Sequence, residues 1–356
     1  FEGEWEEKQL GNIIKVNSGK DYKHLDKGDI PVYGTGGYMT SVSEPLSEID
    51  AVGIGRKGTI NKPYLLEAPF WTVDTLFYCT PKKETDILFI LSLFRKINWK
   101  VYDESTGVPS LSKQTINKIN RFVPTNKEQQ KIGKFFSKLD RQIELEEQKL
   151  ELLQQQKKGY MQKIFSQELR FKDENGNDYP DWTNERLGEV TTVTMGQSPK
   201  SVNYTDNSND TVLIQGNADI ENGLINPRIY TREVTKLIQK DEIILTVRAP
   251  VGKLAMAQIN ACIGRGVCSI KGDKFLYYFL EWFATQNKWI RFSQGSTFES
   301  ISGNDIRNIH IKIPVEDERT KIIKLLNSLD VLNSKTDLKI QNLKQRKQSL
   351  LQKIFV

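Results

Sequence analysis

Histidine and cysteine are scarce in this 356-residue sequence, which contains two histidines and three cysteines. These residues are His24, His310, Cys79, Cys262 and Cys268. So few imidazole and sulfur groups, so widely separated, fit neither a disulfide framework nor a zinc site of known spacing. The sequence therefore predicts a metal-free protein, and because no secretory signal pattern opens it we expect a cytoplasmic location.

Long hydrophobic runs are also lacking. No apolar stretch approaches the ~18 residues that a membrane-spanning helix requires. Hydrophobic residues make up 38% of the chain and charged residues 27%, which is ordinary for a globular protein. The length allows two domains that each bury a core of their own. Because no long apolar run is present, we expect no membrane partner.

Signatures of catalysis are missing as well. None of the 12 prolines is adjacent to another, which excludes the Pro-Pro-aromatic loop of amino-methyltransferases. The segment 251–254 has neither the leading glycine nor the Ser/Thr of a phosphate-binding loop. Gly53–Gly58 fits the letters GxGxxG, but Pro63 opposes the helix that a dinucleotide site needs next. We therefore expect no enzymatic activity and no cofactor in this chain.

The net charge of +6 is unevenly distributed. Residues 126–166 and 315–356 carry net charges of +3 and +4, whereas residues 1–125 and 167–314 carry 0 and −1. Basicity is therefore concentrated outside the two larger segments. A nucleic-acid surface on those segments would have to be a local patch.

The chain contains an internal repeat. Residues 110–165 and 300–355 align at a constant offset of 190, from the Ser-Leu/Ile-Ser start to the Gln-Lys-Ile-Phe end. A second anchor, Trp5 with Leu10-Gly11, returns as Trp182 with Leu187-Gly188 at an offset of 177. Because the second offset is smaller, the second copy is longer in its middle. The two copies share a frame and diverge between the anchors.

Helix and strand patterns alternate along each copy. Residues 126–166 and 315–356 are rich in Glu, Gln, Lys and Leu, have apolar residues at 3–4 spacing, and are too long to lie on one small domain. Their apolar seams are interrupted by polar residues, namely Glu146, Lys157, Asn333, Thr336 and Lys347. Segments 51–55, 190–196, 211–216 and 242–247 predict strands, and Asp86–Lys96 and Lys274–Phe283 predict short helices. The predicted fold class is α+β.

Glycine-hinged basic loops are the candidate contacts for a nucleic acid. Arginine suits bidentate contact with guanine, and glycine lets a backbone approach phosphate closely. Loops of this type occupy similar places in the two copies, and short polar segments precede the long helices. The candidate residues are Lys20, Tyr22, Lys23, Arg56, Lys57, Lys113, Gln197, Lys200, Gln215, Arg248, Lys253, Ser296 and Thr297.

The repeat resembles the specificity subunit of Type I restriction-modification systems. The resemblance lies in the Gly-Ser-Thr-Phe-x-x-Ile-Ser block at 295–302, the Ile-Pro turn at 313–314 and the Glu318-Arg319-x-x-x-Ile322 pattern, with similar residues in the first copy. The Trp-x-x-x-x-Leu-Gly openings and Leu169-Arg170-Phe171 are similar too. Two departures are Glu318-Arg319 in place of Glu-Gln, and an Arg-Phe segment that would precede Phe1 and lies outside this sequence.

The resemblance implies a specific organisation. Target-recognition domains at 1–125 and 167–314 would alternate with spacer helices at 126–166 and 315–356. The β-rich domains would take a pseudo-two-fold arrangement, separated by two long antiparallel helices forming a coiled coil. Each domain would read half of a split double-stranded DNA target. The helices would set the spacing between the halves.

The resemblance also implies partner subunits. Two DNA adenine methyltransferase subunits would dock on the helices, and motor-nuclease subunits would complete the restriction enzyme. ATP, magnesium and S-adenosylmethionine would be held outside this chain. The candidate docking residues are Lys131, Phe135, Lys138, Lys321 and Lys324.

Two other functions are compatible with the sequence. The chain could be a coiled-coil interaction scaffold with no DNA role, or a nuclease with a carboxylate site that no motif reveals. Salt-dependent binding of duplex DNA would separate the first from a DNA reader. Metal-dependent cleavage by the chain alone would identify the second.

Overall fold

The computed structural model describes residues 4–289 and 300–355. The chain forms two compact units. Unit 1 consists of Phe1–Lys149 with Thr336–Val356, and unit 2 consists of Leu150–Lys335. Each unit therefore combines one β-rich segment with parts of both long helices.

Unit 1 begins with short helices and strands. Its helices are α1 (Leu10–Ile13), α2 (Ile87–Lys96), α3 (Lys113–Lys118) and the first part of α4 (Asn126–Phe165), with a 3-10 turn at Trp99–Tyr102. Its strands are β1 (Glu6–Gln9), β2 (Ile14–Ser18), β3 (Ile30–Gly34), β4 (Gly37–Val42), β5 (Ala51–Gly55), β6 (Tyr64–Leu66), β7 (Trp71–Thr72), β8 (Leu76–Pro81) and β9 (Asn120–Val123).

Three sheets organise unit 1. The order is β2-β8-β5-β6 in the largest, β4-β3-β7 in the second, and β1 pairs with β9. The main core lies between the four-stranded sheet, α2 and the long-helix segments, and Phe89, Phe94 and Trp99 are almost fully buried in it. Strand β5 is followed by a loop and β6, so Gly53–Gly58 lacks the helix that a dinucleotide site requires.

Unit 2 contains the second part of α4 and a larger β-rich segment. Its other helices are α5 (Leu187–Val190), α6 (Lys274–Thr285), α7 (Gly303–Arg307) and the first part of α8 (Glu316–Ile354), with 3-10 turns at Ser201–Asn203 and Asn217–Asp219. Its strands are β10 (Thr183–Arg186), β11 (Val193–Met195), β12 (Tyr204–Thr205), β13 (Thr211–Ile214), β14 (Ile220–Glu221), β15 (Leu224–Ile225), β16 (Tyr230–Thr231), β17 (Leu237–Ile238), β18 (Ile243–Thr246), β19 (Leu254–Met256), β20 (Ala261–Ile263), β21 (Val267–Ile270) and β22 (His310–Ile313).

Unit 2 repeats the sheet plan of unit 1 with added strands. The larger sheet has the order β11-β21-β18-β19-β15-β14, the other has the order β12-β16-β13-β20-β17, and β10 pairs with β22. The parallel pair β13–β20 corresponds to the parallel pair β3–β7 of unit 1. The α+β class and the two short-helix predictions are confirmed. Each of the four predicted strand segments contains a strand, but the one predicted at 190–196 is only Val193–Met195, because Leu187–Val190 forms α5.

The Leu-Gly anchors close each unit in the same way. The backbone N–H of Leu10 donates to the carbonyl of Ile119, and that of Leu187 donates to the carbonyl of Ile309, both at 2.8 Å. A Cβ on Gly11 would lie 3.0 Å from the side chain of Asn117. A Cβ on Gly188 would likewise lie 2.8 Å from the side chain of Arg307, which aligns with Asn117. The glycine therefore allows close contact with the helix that precedes the spacer.

The long helices contribute to the core of each unit. In unit 1, Ile132 and Phe136 of α4 pack with Leu351 of α8. In unit 2, Ile164 of α4 and Ile322 of α8 belong to one core. The two helices run antiparallel, because Asp140 and Glu146 of α4 pair with Lys347 and Lys339 of α8, respectively. Both predicted spacer helices are confirmed.

Three of the polar residues that interrupt the apolar seams, Glu146, Lys157 and Lys347, form ion pairs. In unit 1, Lys347 pairs with Asp140, which also binds Arg95 of α2. In unit 2, Lys157 pairs with Asp330 at 2.7 Å. The two Lys–Asp pairs are related by the repeat offset of 190. The interruptions at Lys157 and Lys347 are therefore specific pairs in equivalent places.

Lys157 is the most buried of these charges. Its ammonium also contacts Glu281 at 2.8 Å. Burial acts to lower the pKa of Lys157, but the two carboxylates outweigh it and the pKa is raised. Burial raises the pKa of Glu281, and the Lys157 charge opposes this rise. The network is a charge cluster of one buried cation and two half-buried carboxylates, and it depends on that cation.

A second buried pair fixes the segment ahead of Trp182. Arg170 contacts both oxygens of Glu318 at 2.8 Å, and the Trp182 indole N–H donates to the same carboxylate at 2.9 Å. The backbone N–H of Phe171 adds a longer bond of 3.3 Å. Glu318 is fully buried, and its donors come from this one segment and from Trp182. The segment is thereby attached to the start of α8.

Arg319, which departs from the Glu-Gln pattern of the family, makes the same kind of contact as the aligned glutamine of unit 1. Arg319 contacts Asp273, the N-cap of α6, at 2.8 Å. At the aligned position, the Gln129 side chain accepts from the backbone N–H of Asp86, the N-cap of α2. Arginine and glutamine therefore both attach a long helix to the start of a shorter one.

The helices of the described ranges include none that is long and apolar enough to cross a bilayer.

We expect Lys157→Ala to lower the free energy of unfolding of unit 2 by about 1–3 kcal/mol, because two half-buried carboxylates lose their cation. Chemical denaturation monitored by tryptophan fluorescence measures the change. The control is Lys158→Ala, an exposed lysine of the same helical turn, which should shift stability by no more than about 0.5 kcal/mol. Equal effects of the two substitutions would contradict a structural role for the cluster.

Candidate nucleic-acid interface

The turn between β7 and β8 organises the candidate edge of unit 1. The backbone N–H of Gly19 donates to Leu76 O at 3.1 Å, and that of Lys20 donates to Thr72 O at 2.8 Å. A Cβ on Gly19 would lie only 2.0 Å from Val73 O. Glycine is therefore required where the two backbones meet. This contact holds the loop that carries Lys20 against the turn 72–76.

Two more segments attach to the same turn. The backbone N–H of Val73 donates to Tyr33 O, and that of Arg56 donates to Thr75 O. Strand β3 and the loop after β5 therefore meet the turn that already holds Lys20. Tyr38, at the start of the strand after β3, is 65% exposed. The structure thus brings three separate loops to one edge.

The ring of Phe77 places two of the predicted cations together. The Arg56 guanidinium lies 5.9 Å and the Lys113 ammonium 6.0 Å from the ring centroid. Lys113 is the first residue of α3, whose N-cap Ser112 accepts from the backbone N–H of Thr115. Lys113 is exposed and Arg56 is half-buried. Two cations that are distant in the sequence therefore form one basic patch.

Tyr22 and Lys23 lie in the loop after β2. Tyr22 is half-buried and packs beside the small core of Val32 and Trp71. Lys23 is exposed, and its backbone N–H donates to the Asp21 carboxylate at 3.3 Å. Tyr22 therefore anchors the loop, and Lys23 extends from it.

Unit 2 builds the same edge with different residues. The backbone N–H of Gly196 donates to Val267 O at 3.0 Å, and that of Gln197 donates to Ile263 O at 2.9 Å. A Cβ on Gly196 would lie 2.1 Å from Gly264 O. Gly196 and Gln197 therefore make the backbone contacts that Gly19 and Lys20 make in unit 1.

The loops after the central strands also correspond. In unit 1 the backbone N–H of Leu111 donates to Arg56 O, and Lys57 forms a β-bridge with Ser110. In unit 2 the backbone N–H of Ile301 donates to Val247 O, and Arg248 forms a β-bridge with Ser300. Lys57 and Arg248, both exposed, therefore occupy equivalent places.

The remaining predicted residues of unit 2 differ in accessibility. Lys200 is exposed, and Gln215 is half-buried beside the turn 263–267. The Lys253 ammonium donates to the carbonyls of Asn217 and Ile220 at 3.2 and 2.6 Å. Lys253 therefore ties its loop to the turn 217–220. Ser296 and Thr297 lie outside the described residues.

Arg265 belongs to this edge and was not among the sequence candidates. It is exposed and occupies the turn equivalent to 72–76, at the position of Asp74. Its backbone N–H donates to Ser198 Oγ at 3.0 Å. A Cβ on the following Gly266 would lie 1.9 Å from Gln215 O. The Gly-Arg-Gly tripeptide was the available signal, since it has the glycine-hinged basic pattern used for Arg56.

Carboxylates hold several of these loops in place. The backbone N–H of Lys200 and the side-chain amide of Asn203 lower the pKa of Glu233. Backbone N–H groups of Ser110 and Ser105, with the Ser105 hydroxyl, lower the pKa of Asp103. The loops beside Lys200 and Lys57 are therefore ordered by ionised acceptors.

The predicted docking residues lie on the spacer helices. Lys131, Phe135 and Lys138 have the spacing of one helical face and are exposed, Phe135 by 39%. Lys324 is exposed on α8. The ammonium of Lys321 instead donates to Lys172 O at 2.6 Å, so this side chain also attaches the segment before Trp182.

Known proteins are similar to this chain in sequence. The profile of the Type I restriction modification DNA specificity domain matches residues 2–155 and 179–345. The chain is 30% identical over 261 residues to the protein of Methanocaldococcus jannaschii named as the MjaX type I restriction enzyme specificity subunit, covering 69% of this chain and 61% of that relative. The chain thus spans about three-fifths of that protein. The MjaVIII specificity subunit is 25% identical over 312 residues, covering 80% and 71%.

Two solved structures share the fold. The S subunit of a Type I restriction-modification system from M. genitalium has a TM-score of 0.71 at 16% identity and covers 100% of this chain and 97% of that one. A chain from a type I R-M system, solved to explain complex assembly and conformational transition, has a TM-score of 0.61 at 19% identity, covering 98% and 97%. Since the family profile covers most of both units, the chain belongs to the Type I restriction-modification DNA specificity family.

Proposed function

We propose that this chain is the non-catalytic, sequence-reading subunit of a Type I restriction-modification complex, with each unit reading one half of a split DNA target. The observation that carries the proposal is that one backbone frame presents different side chains in the two units. Lys57 is replaced by Arg248, Lys20 by Gln197, and Asp74 by Arg265. A shared frame with exchanged side chains suits two readers of unlike sequences.

The chemistry of these side chains fits the grooves of DNA. Arginine recognises guanine by two hydrogen bonds, glutamine recognises adenine, and a carboxylate accepts from cytosine. Lysines near the glycine hinges neutralise phosphate and position the reader. We propose base contacts from Arg248 and Arg265, and phosphate contacts from Lys57 and Lys113. Lys253 contributes by holding the loop that carries Arg248.

The other predicted residues complete the two edges. Ser296 and Thr297 precede α7 and remain candidates for phosphate contact. The further proposed DNA contacts at the two edges are Lys20, Tyr22, Lys23, Arg56, Gln197, Lys200 and Gln215. A DNA target fits a cytoplasmic location.

The spacer helices serve the assembly. We propose that two methyltransferase subunits dock on their outward faces, through Lys131, Phe135 and Lys138 on α4 and Lys324 on α8. Motor-nuclease subunits complete the complex. The methyl donor, ATP and magnesium belong to those partners. α4 continues from unit 1 into unit 2, so its length helps to set the spacing between the two half-targets. Domain boundaries at residues 125, 166 and 314 follow from this organisation.

We expect Arg265→Ala to weaken binding of the cognate duplex about 5- to 150-fold, the loss of about 1–3 kcal/mol that accompanies a lost bidentate base contact. The control is Lys240→Ala, because Lys240 is exposed before β18, at the end of that strand opposite to Arg248. Binding is measured by salt-controlled titration of the chain with its methyltransferase partners, and methyl transfer is measured in parallel, with the chain alone as the blank.

The two possible losses are distinguishable. A base contact predicts that Arg265→Ala relaxes preference at one position of one half-target. A uniform loss over all sequences would mean that Arg265 contacts phosphate. No loss relative to Lys240→Ala, or methyl transfer by the chain alone, would contradict the proposal.

We expect Lys131→Glu with Lys324→Glu to reduce assembly with methyltransferase subunits while the target sequence stays the same, because both residues lie on spacer helices rather than at the loop edges. Light scattering of the mixed subunits measures assembly. The control, Lys15→Glu with Lys240→Glu, makes the same charge change on exposed residues outside the helices. An intact complex with an altered target would show that these residues belong to the reading surface.

A further inference from the structure

The hairpin formed by β3 and β4 presents two large apolar side chains to solvent at the candidate edge of unit 1. Tyr38 is 65% exposed and Met39 is 52% exposed. Single exposed apolar residues are common on protein surfaces, whereas neighbouring ones form a patch that a ligand can cover. The patch of Tyr38 and Met39 therefore marks a place for contact.

A β-bulge explains why two successive residues are both exposed. Val32 pairs with Thr40 and Tyr33 pairs with Tyr38, so Met39 has no residue opposite to it. In a regular strand, successive side chains point to opposite faces. A bulge breaks this alternation and re-aims a side chain. The bulge thus allows Tyr38 and Met39 to share one exposed patch.

Contacts within the hairpin and with β6 hold the patch in shape. The Tyr38 ring packs edge-on against Tyr33 with centroids 6.3 Å apart, and Tyr33 packs against Tyr64 at 6.2 Å. The Tyr64 hydroxyl donates to Gly34 O at 2.6 Å. A Cβ on Gly34 would lie 2.7 Å from the Met39 sulfur, so the glycine leaves the space that this sulfur occupies. A patch that is already ordered loses little conformational entropy when a ligand covers it.

The patch is continuous with the basic edge. The same Cβ on Gly34 would lie 3.5 Å from Cγ2 of Val73, so Met39 and Val73 flank one glycine. Val73 belongs to the turn 72–76, which also receives the loops of Lys20 and Arg56. The apolar patch and these cations are therefore on one edge of unit 1.

The hairpin fits the major groove of a DNA duplex. That groove admits a two-stranded β-ribbon, and the 5-methyl group of thymine is the apolar group that a base pair exposes there. Gly36 and Gly37 add no side chains at the tip of the ribbon. Cations beside the patch suit the phosphates that border the groove.

We propose that the patch of Tyr38 and Met39 binds the 5-methyl group of a thymine in the half-target that unit 1 reads. This inference rests on the proposed function and adds a contact that selects an A·T pair at one position. In unit 2 the equivalent strand β13 is followed by Gln-Gly-Asn-Ala-Asp at 215–219, which contains no large apolar side chain. The methyl contact is therefore expected in one half-target only.

Uracil in place of thymine tests the contact, because the two bases pair alike and differ only in the 5-methyl group. Each thymine of the cognate duplex is replaced singly, and binding of the chain with its methyltransferase partners is titrated at fixed salt. At one thymine of the half-target of unit 1, the replacement should weaken binding about three- to five-fold, as expected for burial of one methyl-sized group. That half-target is the one that stays unchanged when residues 190–300 are exchanged with those of a relative.

Met39→Ala tests the protein side of the contact. It should weaken binding of the thymine duplex by a similar factor, and uracil at the sensitive position should then have little further effect, because the methyl group has lost its partner. The control is Ile49→Ala, since Ile49 is 61% exposed and precedes β5, at the end of that strand opposite to Arg56. This variant should bind as the unchanged chain does and remain sensitive to uracil. If Met39→Ala fails to fold, the uracil scan of the unchanged chain decides the question.

The outcomes separate the thymine contact from the proposed function. Absence of sequence-specific binding by the assembled subunits would contradict the proposed function itself. Specific binding that no uracil weakens in the half-target of unit 1, or a half-target without an A·T pair, would overturn the thymine contact alone. An equal loss with Met39→Ala for thymine and uracil duplexes would also overturn it, because the patch would then contact another part of the DNA.

Discussion

The rest of the structure depends on the burial of the long-helix segments in the two cores. In unit 1, Ile132 and Phe136 of α4 are part of the core that also buries Phe89. In unit 2, Ile164 and Ile322 are part of the core around Phe275. A spacer made of such helices cannot shift in register without opening both cores. The Lys157–Asp330 pair of unit 2 and the equivalent Lys347–Asp140 pair of unit 1 each place a polar contact in an apolar seam. Such a contact fixes the register of paired helices.

A fixed frame explains how the reading edges can vary. The glycines at 19 and 196 allow two backbones to meet at distances that no side chain tolerates. The contacts around them are made by backbone atoms, so the side chains that face outward are free to change. The exchange of Asp74 for Arg265 alters charge and hydrogen-bonding capacity while the turn keeps its hydrogen bonds. Specificity can therefore diverge between the units without a change of fold.

Much of this architecture could be predicted from the sequence. The repeat offset, the long helices and the Leu-Gly anchors were visible because they follow from local periodicity and from residues with distinctive stereochemistry. The family resemblance added the expectation that each unit reads one half of the DNA target. The polar interruptions at Lys157 and Lys347 were visible too, although their partners were not.

Other features depended on tertiary contacts that no local pattern encodes. Arg265 could not be placed at the edge until the turn 263–267 was seen to receive the loops from Gly196 and Gln215. Lys253 was predicted to contact DNA and Lys321 to dock a partner, yet their ammonium groups bond to backbone carbonyls.

The central claim is that the two units read DNA separately within one frame. The most direct measurement is a methylation map of cells that carry the chain with its partner subunits, in which residues 190–300 are replaced by the equivalent part of a relative with a known target. The account predicts a change in one half-target, with the other half and the spacer between them unchanged. A simultaneous change in both halves, or an unchanged target with methylation intact, would contradict it.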